Sequence, residues 1–403
     1  MAAIAKGIAK STIVKAQSGL GVPAAGTGGQ ELRRVTSVAS QKRATYTNNE
    51  IVAHQQSTGV TLGSATTDWQ FDGLLSPGTY STLLQAVMRK IFTATAAVTT
   101  VSATITTTTI TDAAKDFLTA GIKIGDIIRI TAGAVNAGTL NANLLATNVT
   151  ATVITYIPVN GVAITAEGPI ASCTITVVGK KALAPLTGHT NTLFTLEEFY
   201  SDLVKSELFP DMFIGQVDIS LPASGNATIK LASQGLGVRT LGVAQVLTTP
   251  TAATIYPVLT AVRGALIVNG ASVTNVTGIT LTINPVLTPM GSVVGSNYAP
   301  DMSRGTIQVT GQFTALFDSH AISTLYASEA SINLIAVMAA DTTKNSDFVS
   351  FSLSAITLTG DTPNDGELGI VRTYPFTAEI NAAGGAALAN DKTILTIQDS
   401  LAA

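Results

Sequence analysis

The strongest constraint on the fold is a strand–turn–helix pattern that the sequence contains twice. The first copy, TDWQFDGLLSPGTYSTLLQAV, covers residues 67–87, and the second, GTIQVTGQFTALFDSHAISTLYAS, covers residues 305–328. In each copy apolar and polar residues first alternate, which is typical of a strand with one buried face. Apolar residues then recur at helical spacing. The repetition predicts two related units, each with a strand that leads directly into a packing helix.

Alignment of Gly73 with Gly311 brings the apolar positions of the two copies together. The aligned pairs are Trp69 with Ile307, Phe71 with Val309, and Leu75 with Phe313. Because alternate side chains of a strand point to opposite faces, we expect these apolar residues to face a core. The predicted core anchors are Trp69, Phe71, Ile307 and Val309.

A β-hairpin is predicted between the two copies, at FIGQVDISLPASGNATIKLASQG, residues 213–235. Two runs of alternating apolar and polar residues flank the turn sequence ASGN. Such alternation predicts antiparallel strands that pack one face and leave the other face polar.

The chain carries few charges and a single cysteine. Charged residues make up 12% of its 403 residues, against about 25% in an ordinary soluble domain. We therefore expect other copies to cover much of this surface. The net charge of −3 argues against electrostatic binding of nucleic acid. One cysteine, Cys173, excludes intramolecular disulfides and thiolate metal clusters.

The sequence shows no sign of a membrane segment. No apolar run reaches the roughly 18 residues that would span a bilayer. The N-terminal segment MAAIAKGIAKSTIVKAQ is interrupted by lysines and lacks the apolar core of a signal peptide. We expect a protein that is made in a reducing cytoplasm and does not enter a membrane.

Shifts in composition divide the chain into four predicted regions. Residues 1–45 are small and polar, and we expect an N-terminal arm that becomes ordered on a partner surface. Residues 98–182 are rich in Thr, Val, Ile, Ala and Gly, which predicts an inserted small β-barrel or sandwich. Residues 46–97 and 183–245 form the first unit, and residues 246–403 form the second.

Residues that usually carry enzymatic chemistry are not grouped in this sequence. The three histidines are far apart, and Glu197 and Glu198, as strand neighbours, would face opposite ways. The segment DTPNDGELG, residues 361–369, resembles a calcium loop, but Pro363 replaces an oxygen ligand. A hairpin turn explains that segment with fewer assumptions. We expect no enzyme, no metal site and no cofactor.

Several segments, taken in order, resemble the major tail tube proteins of phages with long non-contractile tails. They are RRVTSVASQKRATYTNNEI through WQFDGLLSPGTYSTLLQAVMRKIF, then FTLEEFYSDLVKSELFPDMFIGQVDISLPASGNATIKLASQGLG, then VTGQFTALFDS, and finally FSLSAITLTGDTPNDGELGIVRTYPFTAEI. The block FLTAGIKIGDIIRI is similar to the small β domain that many of these proteins carry on the outside of the tube. The resemblance covers nearly the whole chain.

The resemblance implies a mainly β virion structural protein. Its tube domains are β-sandwiches or barrels with a flanking helix, and their strands join across subunits into a barrel. Stacked rings form the hollow tail tube through which the genome is ejected. Most members have one tube domain per chain and form hexamers. Two tandem domains per chain, as the repeat predicts, would let a trimer form a pseudo-hexameric ring.

The resemblance also implies the partners and the location of the protein. The tape measure protein would occupy the tube before ejection, and the tail terminator and tail-tip proteins would bind its ends. DNA would pass through without specific binding. The protein would be assembled in the cytoplasm of the bacterial host and would reside in the virion tail.

A polar lumen with acidic character would let a polyanion slide. The candidates for this face are Asp68, Gln70, Asp72, Asp218 and Ser220. The alternative is that the same face is wetted on the outside or is buried against a neighbour. Two other functions stay open. One is a tube of a phage-tail-like secretion or killing device, and the other is a surface carbohydrate- or receptor-binding protein that acts through residues 98–182.

Overall fold

A computed structural model describes residues 4–402, apart from residues 52, 55, 57, 223 and 366–368. The strands ahead of the first helix are β1 Lys10–Ala16, β2 Gly26–Thr27, β3 Gln30–Glu31, β4 Thr36–Thr47 and β5 Val60–Leu74. Helix α1 covers Ser81–Met88. It is followed by eight short strands, β6 Val98–Thr99, β7 Ala103–Ile105, β8 Thr109–Thr111, β9 Ile127–Ala132, β10 Leu144–Val149, β11 Val153–Pro158, β12 Glu167–Ile170 and β13 Thr174–Val177.

The second part of the chain contains longer strands and the other helix. The strands up to this helix are β14 Lys180–Leu183, β15 Phe194–Tyr200, β16 Lys205–Pro222, β17 Thr228–Gly235, β18 Thr240–Gly242, β19 Leu247–Thr248, β20 Gly264–Val268, β21 Ala271–Val273, β22 Val276–Asn284, β23 Leu287–Pro289, β24 Met302–Arg304 and β25 Gln308–Leu316. Helix α2 covers Ala321–Ala327. The last strands are β26 Ile332–Ala339, β27 Phe348–Leu358, β28 Thr362–Pro363, β29 Val371–Ala378 and β30 Thr396–Asp399.

The mainly β fold class is confirmed, and both predicted strand–helix units are present. Strand β5 leads into α1, and β25 leads into α2. Between β5 and α1, Pro77 and Gly78 reverse the chain, and Gly78 has a φ of +69° that other residues rarely adopt. The apolar residues of α1, among them Leu83, Leu84 and Val87, are buried against the sheet. None of the residues of helix α2 is buried, so this helix packs more loosely against the sheet than α1 does.

The two halves of the chain repeat one plan of strand pairing. In the first half β4 pairs with β5, β5 with β17, β17 with β16, and β16 with β15. In the second half the corresponding pairs are β22 with β25, β25 with β29, β29 with β27, and β27 with β26. All these pairs are antiparallel. The repeat that was weak in residue identity is therefore clear in topology.

A direct strand pair joins the two halves into one sheet. Residues 217–222 of β16 pair antiparallel with residues 278–283 of β22, and the partners include Asp218 with Thr282. The edge of the first half is thereby covered by the first strand of the second half. Both halves contribute to one apolar core, in which Val217 and Ile283 are fully buried.

Strands β6–β13 form a separate eight-stranded sheet with its own core. In sequence this sheet lies between α1 and β14 and so interrupts the first half, but it packs on the second half, where Ile127 and Leu145 contact residues of β20, β26 and β27. The Gln398 side chain accepts a hydrogen bond from the backbone N–H of Ile127 and donates to the carbonyls of Ile127 and Val178. Strand β14, most of which falls in the predicted insert, pairs instead with β30 of the large sheet.

Part of the predicted N-terminal arm is ordered within the chain itself. Strand β1 pairs antiparallel with β15 and also with β3. Strand β4, which contains the end of the arm, pairs with β5. The expectation that these segments need another subunit to become ordered is wrong for β1 and β4. The physical reason is that Ile13 and Val14, which are buried, gain a core contact and a strand partner at once.

Candidate functional site: the polar face of the continuous sheet

One face of the continuous sheet is polar from end to end. A row of paired residues crosses β4, β5, β17, β16, β22, β25, β29 and β27, with one residue from each strand. In this order the residues are Thr36, Asp72, Lys230, Asp218, Thr282, Thr310, Thr377 and Thr357. None of them is buried, whereas Phe71, Val217, Ile283 and Ile356 on the opposite face are buried. We call this row and the residues beside it the polar face.

The five residues that the sequence marked as lumen candidates all lie on the polar face. Asp72 and Asp218 belong to the row itself. Ser220 lies two residues from Asp218 along β16, and Gln70 and Asp68 lie two and four residues from Asp72 along β5. Gln70 is exposed and the other four are half-buried. The pairing of β5 with β17 and of β17 with β16 brings these two groups together.

Neighbouring side chains hold the carboxylates of the polar face in place. The Thr282 hydroxyl donates to Asp218 Oδ1 at 2.7 Å, and the Gln216 amide donates to both oxygens of Asp218 at 2.9 Å. The Thr36 hydroxyl donates to Asp72 Oδ2 at 3.0 Å. These hydrogen bonds satisfy the carboxylate oxygens from within the sheet, so the polar face presents fixed rather than freely moving acidic groups.

The polar face of one chain carries basic as well as acidic residues. The exposed Lys230 stands directly between Asp72 and Asp218, and Lys42 Nζ lies 2.6 Å from Asp68 Oδ2. Opposite charges on paired strands avoid the repulsion that adjacent carboxylates would suffer. A lumen with acidic character stays a prediction, and in one chain these carboxylates stand beside lysines. Most of the face is neutral, with threonine and glutamine side chains.

The predicted core anchors take different positions. Trp69, Phe71 and Val309 are fully buried, and the Trp69 and Phe71 rings meet edge to face with centroids 5.6 Å apart. Trp69 Nε1 donates to Ser37 Oγ at 3.0 Å, which satisfies its polar group inside the core. Ile307 lies just before β25 and is half-buried, although it packs against the same core.

Sequence reasoning missed the second half of the polar face. Thr282, Thr310 and Gln312 lie on the polar face of β22 and β25, which correspond to β4 and β5 of the first half. The sequence alignment of Gly73 with Gly311 already aligns Thr310 with Asp72, so it could have identified Thr310. Lys230 was visible as a polar residue of the hairpin, but its place between two carboxylates depends on the pairing of three strands.

Both ends of the polar row have an unpaired strand edge. Within the described part of the chain, β4 pairs with β5 alone, so its other edge carries no strand. At the other end, β27 beyond Ile356 pairs with β29 alone. Open strand edges invite another strand to pair with them. The polar face can therefore be extended from either end.

Glu197 and Glu198 face opposite ways, as predicted, and both are buried. Glu197 accepts hydrogen bonds from the backbone N–H groups of Val246 and Leu247, both at 2.7 Å. Glu198 Oε2 lies 2.7 Å from Lys10 Nζ. Burial raises the pKa of Glu198, while the contact with Lys10 opposes this rise. The two carboxylates hold other segments of the chain against β15 and do not form an acid–base pair.

The structure gives little support for other kinds of site. Among residues 4–402, outside the seven that are not described, no group of three or more His, Cys, Asp or Glu side chains could hold a metal ion. His54, His189 and His320 are exposed and separate. Cys173 is buried just before β13, and burial raises its pKa. The segment at residues 361–369 is described only in part, because residues 366–368 lie outside the described residues.

Neither described helix has the length and apolar character needed to cross a membrane. A comparison with curated proteins finds no match. The family model described as phage tail tube protein matches residues 9–380. This match covers the inserted sheet, the whole polar row and both halves up to residue 380, and it agrees with the mainly β architecture. The chain therefore belongs to the phage tail tube protein family.

Proposed function

We propose that three copies of the chain close into a ring and that stacked rings form the tube through which the phage genome is ejected. The observation that carries this proposal is the β16–β22 pair, which joins two halves of the same plan into one sheet with one polar face. A tube needs a repeating wall that is polar inside and has no open strand edges. Each chain supplies two of the six repeats of a pseudo-hexameric ring.

The number of strands is compatible with a wide channel. Each chain carries eight described strands in the polar row. Three chains would therefore supply 24 strands to one barrel. With about 4.8 Å between strands and a tilt of about 40°, such a barrel has a backbone diameter of roughly 45–50 Å. The neutral, hydrogen-bonded polar face would offer DNA few cationic groups to bind.

The contact between rings involves the distal part of the β4–β5 hairpin in this proposal. Tyr46, Val60 and Leu62 lie there and are each about three-fifths exposed. Val60 and Leu62 share one face of this hairpin, and Tyr46, the partner of Thr61, lies on the other, so both faces offer apolar residues for contact with another copy. The N-terminal arm, taken as residues 1–45, would contribute through β4. The insert, taken as residues 98–182, would lie on the outside of the tube.

In this proposal the tape measure protein fills the channel before ejection, and terminator and tail-tip proteins close its ends. Image reconstruction of assembled tubes by electron microscopy tests the central claim. The expected result is a ring with threefold symmetry, six similar wall elements and the polar face inside. Globular monomers at all protein and salt concentrations, or rings with the polar face outside, would contradict the proposal.

A further inference from the structure

The contact between the two halves of one chain provides a template for the contact between chains. At this internal junction, residues 217–222 of β16 pair with residues 278–283 of β22. Asp218 lies opposite Thr282, and the two side chains are hydrogen bonded at 2.7 Å. The junction therefore has a defined register, set by backbone pairing and by this contact on the polar face.

The repeated pairing plan assigns a counterpart to each residue of the internal junction. Asp72 and Thr310 correspond through the aligned glycines, so their partners Lys230 and Thr377 correspond as well. One strand further, Asp218 of β16 corresponds to Thr357 of β27. In the other direction, Thr282, the partner of Thr310, corresponds to Thr36, the partner of Asp72.

The counterparts of the internal junction are the two open ends of the row. Thr36 and Thr357 are separated by seven strand spacings, roughly 34 Å along the sheet, and cannot meet within one chain. Leu281, inside the internal junction, is 5% exposed, whereas its counterpart Val35, just before β4, is 58% exposed. The neighbouring strand covers Leu281 at the internal junction, whereas no strand covers Val35 at the open edge.

The charges at the two open ends are complementary. Near the free edge of β4 stand Arg33 and Arg34, and neither has a carboxylate within 4 Å among the described residues. Near the free edge of β27 stands the exposed Glu379, which accepts a hydrogen bond from Thr357 at 3.1 Å, whereas Asp361 is already paired with Arg372 at 2.7 Å. The meeting of the two edges would therefore bring two arginines without a carboxylate partner towards an edge that carries an exposed carboxylate.

We propose that residues 357–360 of one chain pair antiparallel with residues 33–36 of the next copy, with Thr357 opposite Thr36. The partner is a second copy of this chain, and the register is that of the internal junction. This inference rests on the proposed ring, because only a closed set of copies lets every chain use both edges. It specifies which residues meet, which the ring alone does not.

Disulfide trapping tests the register. Thr36→Cys and Thr357→Cys are combined in one chain, assembled, oxidised and separated on a denaturing gel without reductant. The expected result is loss of the monomer band and the appearance of covalent dimers and trimers. Cys173 remains in place because it is buried. The parent chain, which contains only this cysteine, gives the background level of cross-linking. Arg34→Cys with Thr359→Cys tests the same register at a second position.

Two controls calibrate this measurement. Ser220→Cys with Thr280→Cys, which are paired across the internal junction, should form a disulfide within one chain. Val38→Cys with Thr357→Cys is displaced by two residues, or about 7 Å along the strand, which exceeds the reach of a disulfide. This pair should give the background level of covalent dimers.

Electron microscopy of the same samples separates the possible failures. Tubes or rings without cross-linking of either matched pair would overturn the register and leave the proposed function standing. Stronger cross-linking of the displaced pair would overturn the register in the same way. If the parent chain forms neither rings nor tubes, the proposed function fails, and the inference fails with it.

Discussion

The buried ion pair between Asp126 and Lys181 gives the most direct test of how the insert is attached. Asp126 precedes β9 of the insert, and Lys181 lies in β14 of the large sheet, with 2.8 Å between Lys181 Nζ and Asp126 Oδ1. Both side chains are almost fully buried. Burial raises the pKa of Asp126, and the nearby Lys181 opposes this rise. A methionine at position 181 would preserve the volume but leave the carboxylate without its cation.

We expect Lys181→Met to lower the free energy of unfolding by about 3–5 kcal/mol near neutral pH, because it leaves a buried charge unpaired. Lys42→Met is the matched control. It breaks the pair with Asp68, in which the lysine side chain is 70% exposed. This exposed pair should contribute no more than about 1 kcal/mol. Urea unfolding followed by circular dichroism measures the loss of stability in both variants. Limited proteolysis reports on the insert.

A double variant distinguishes an unpaired charge from a simple packing defect. Adding Asp126→Asn to Lys181→Met removes the buried charge and should recover most of the lost stability. The recovery should be absent when Asp126→Asn is added to Lys42→Met. Equal losses for Lys181→Met and Lys42→Met, or a double variant no more stable than Lys181→Met, would refute the reasoning.

Three further predictions concern the core, the C-terminal strand and the polar face. Trp69→Ala should lower the free energy of unfolding by about 3–5 kcal/mol, whereas Val38→Ala at an exposed site should have little effect; similar midpoints in urea would contradict this. Burial raises the pKa of Asp399 to about 6, so the folded state keeps a proton that the unfolded chain releases near pH 4. Stability from this group therefore falls as pH rises from 4 to 6, by up to about 3 kcal/mol. The thermal stability of Asp399→Asn relative to the parent should therefore increase from pH 4 to pH 6. A stability difference that does not change with pH would count against the burial argument. Thr310→Lys with Gln312→Lys should leave tubes intact but slow DNA passage in a salt-dependent way, measured by ejection from reconstituted virions. Val101→Lys on the insert should not slow it, and equal rates would place the polar face outside the channel.

Much of the local structure could be predicted from the sequence. Alternation at Trp69 and Phe71 placed these residues in a buried strand face, and the polar residues between them share the other face. The hairpin formed by β16 and β17 followed from two alternating runs around a turn. These features are local, because the direction of a strand side chain depends on its position in the strand. Residue identity between the two copies was too low to establish the repeat firmly.

The partners of the strands could not be predicted in the same way. Alternation says which face of a strand is buried but not which strand lies beside it, and loop closure permits many pairings. Strand β1 could have been a free arm, yet it lies between β15 and β3. The position of Lys230 could not be predicted for the same reason, since it became the neighbour of two carboxylates only through pairing.

The sequence by itself determined that the chain is mainly β and that one face of its strands is polar, and it predicted a repeated strand–helix unit. Only the tertiary structure decided that β16 pairs with β22, that the insert packs on the second half, and that β4 and β27 keep open edges. The physical reason is that backbone hydrogen bonds between strands are not specific to residue type. The choice among possible partners is made by the shared core, in which residues far apart in the sequence are buried together.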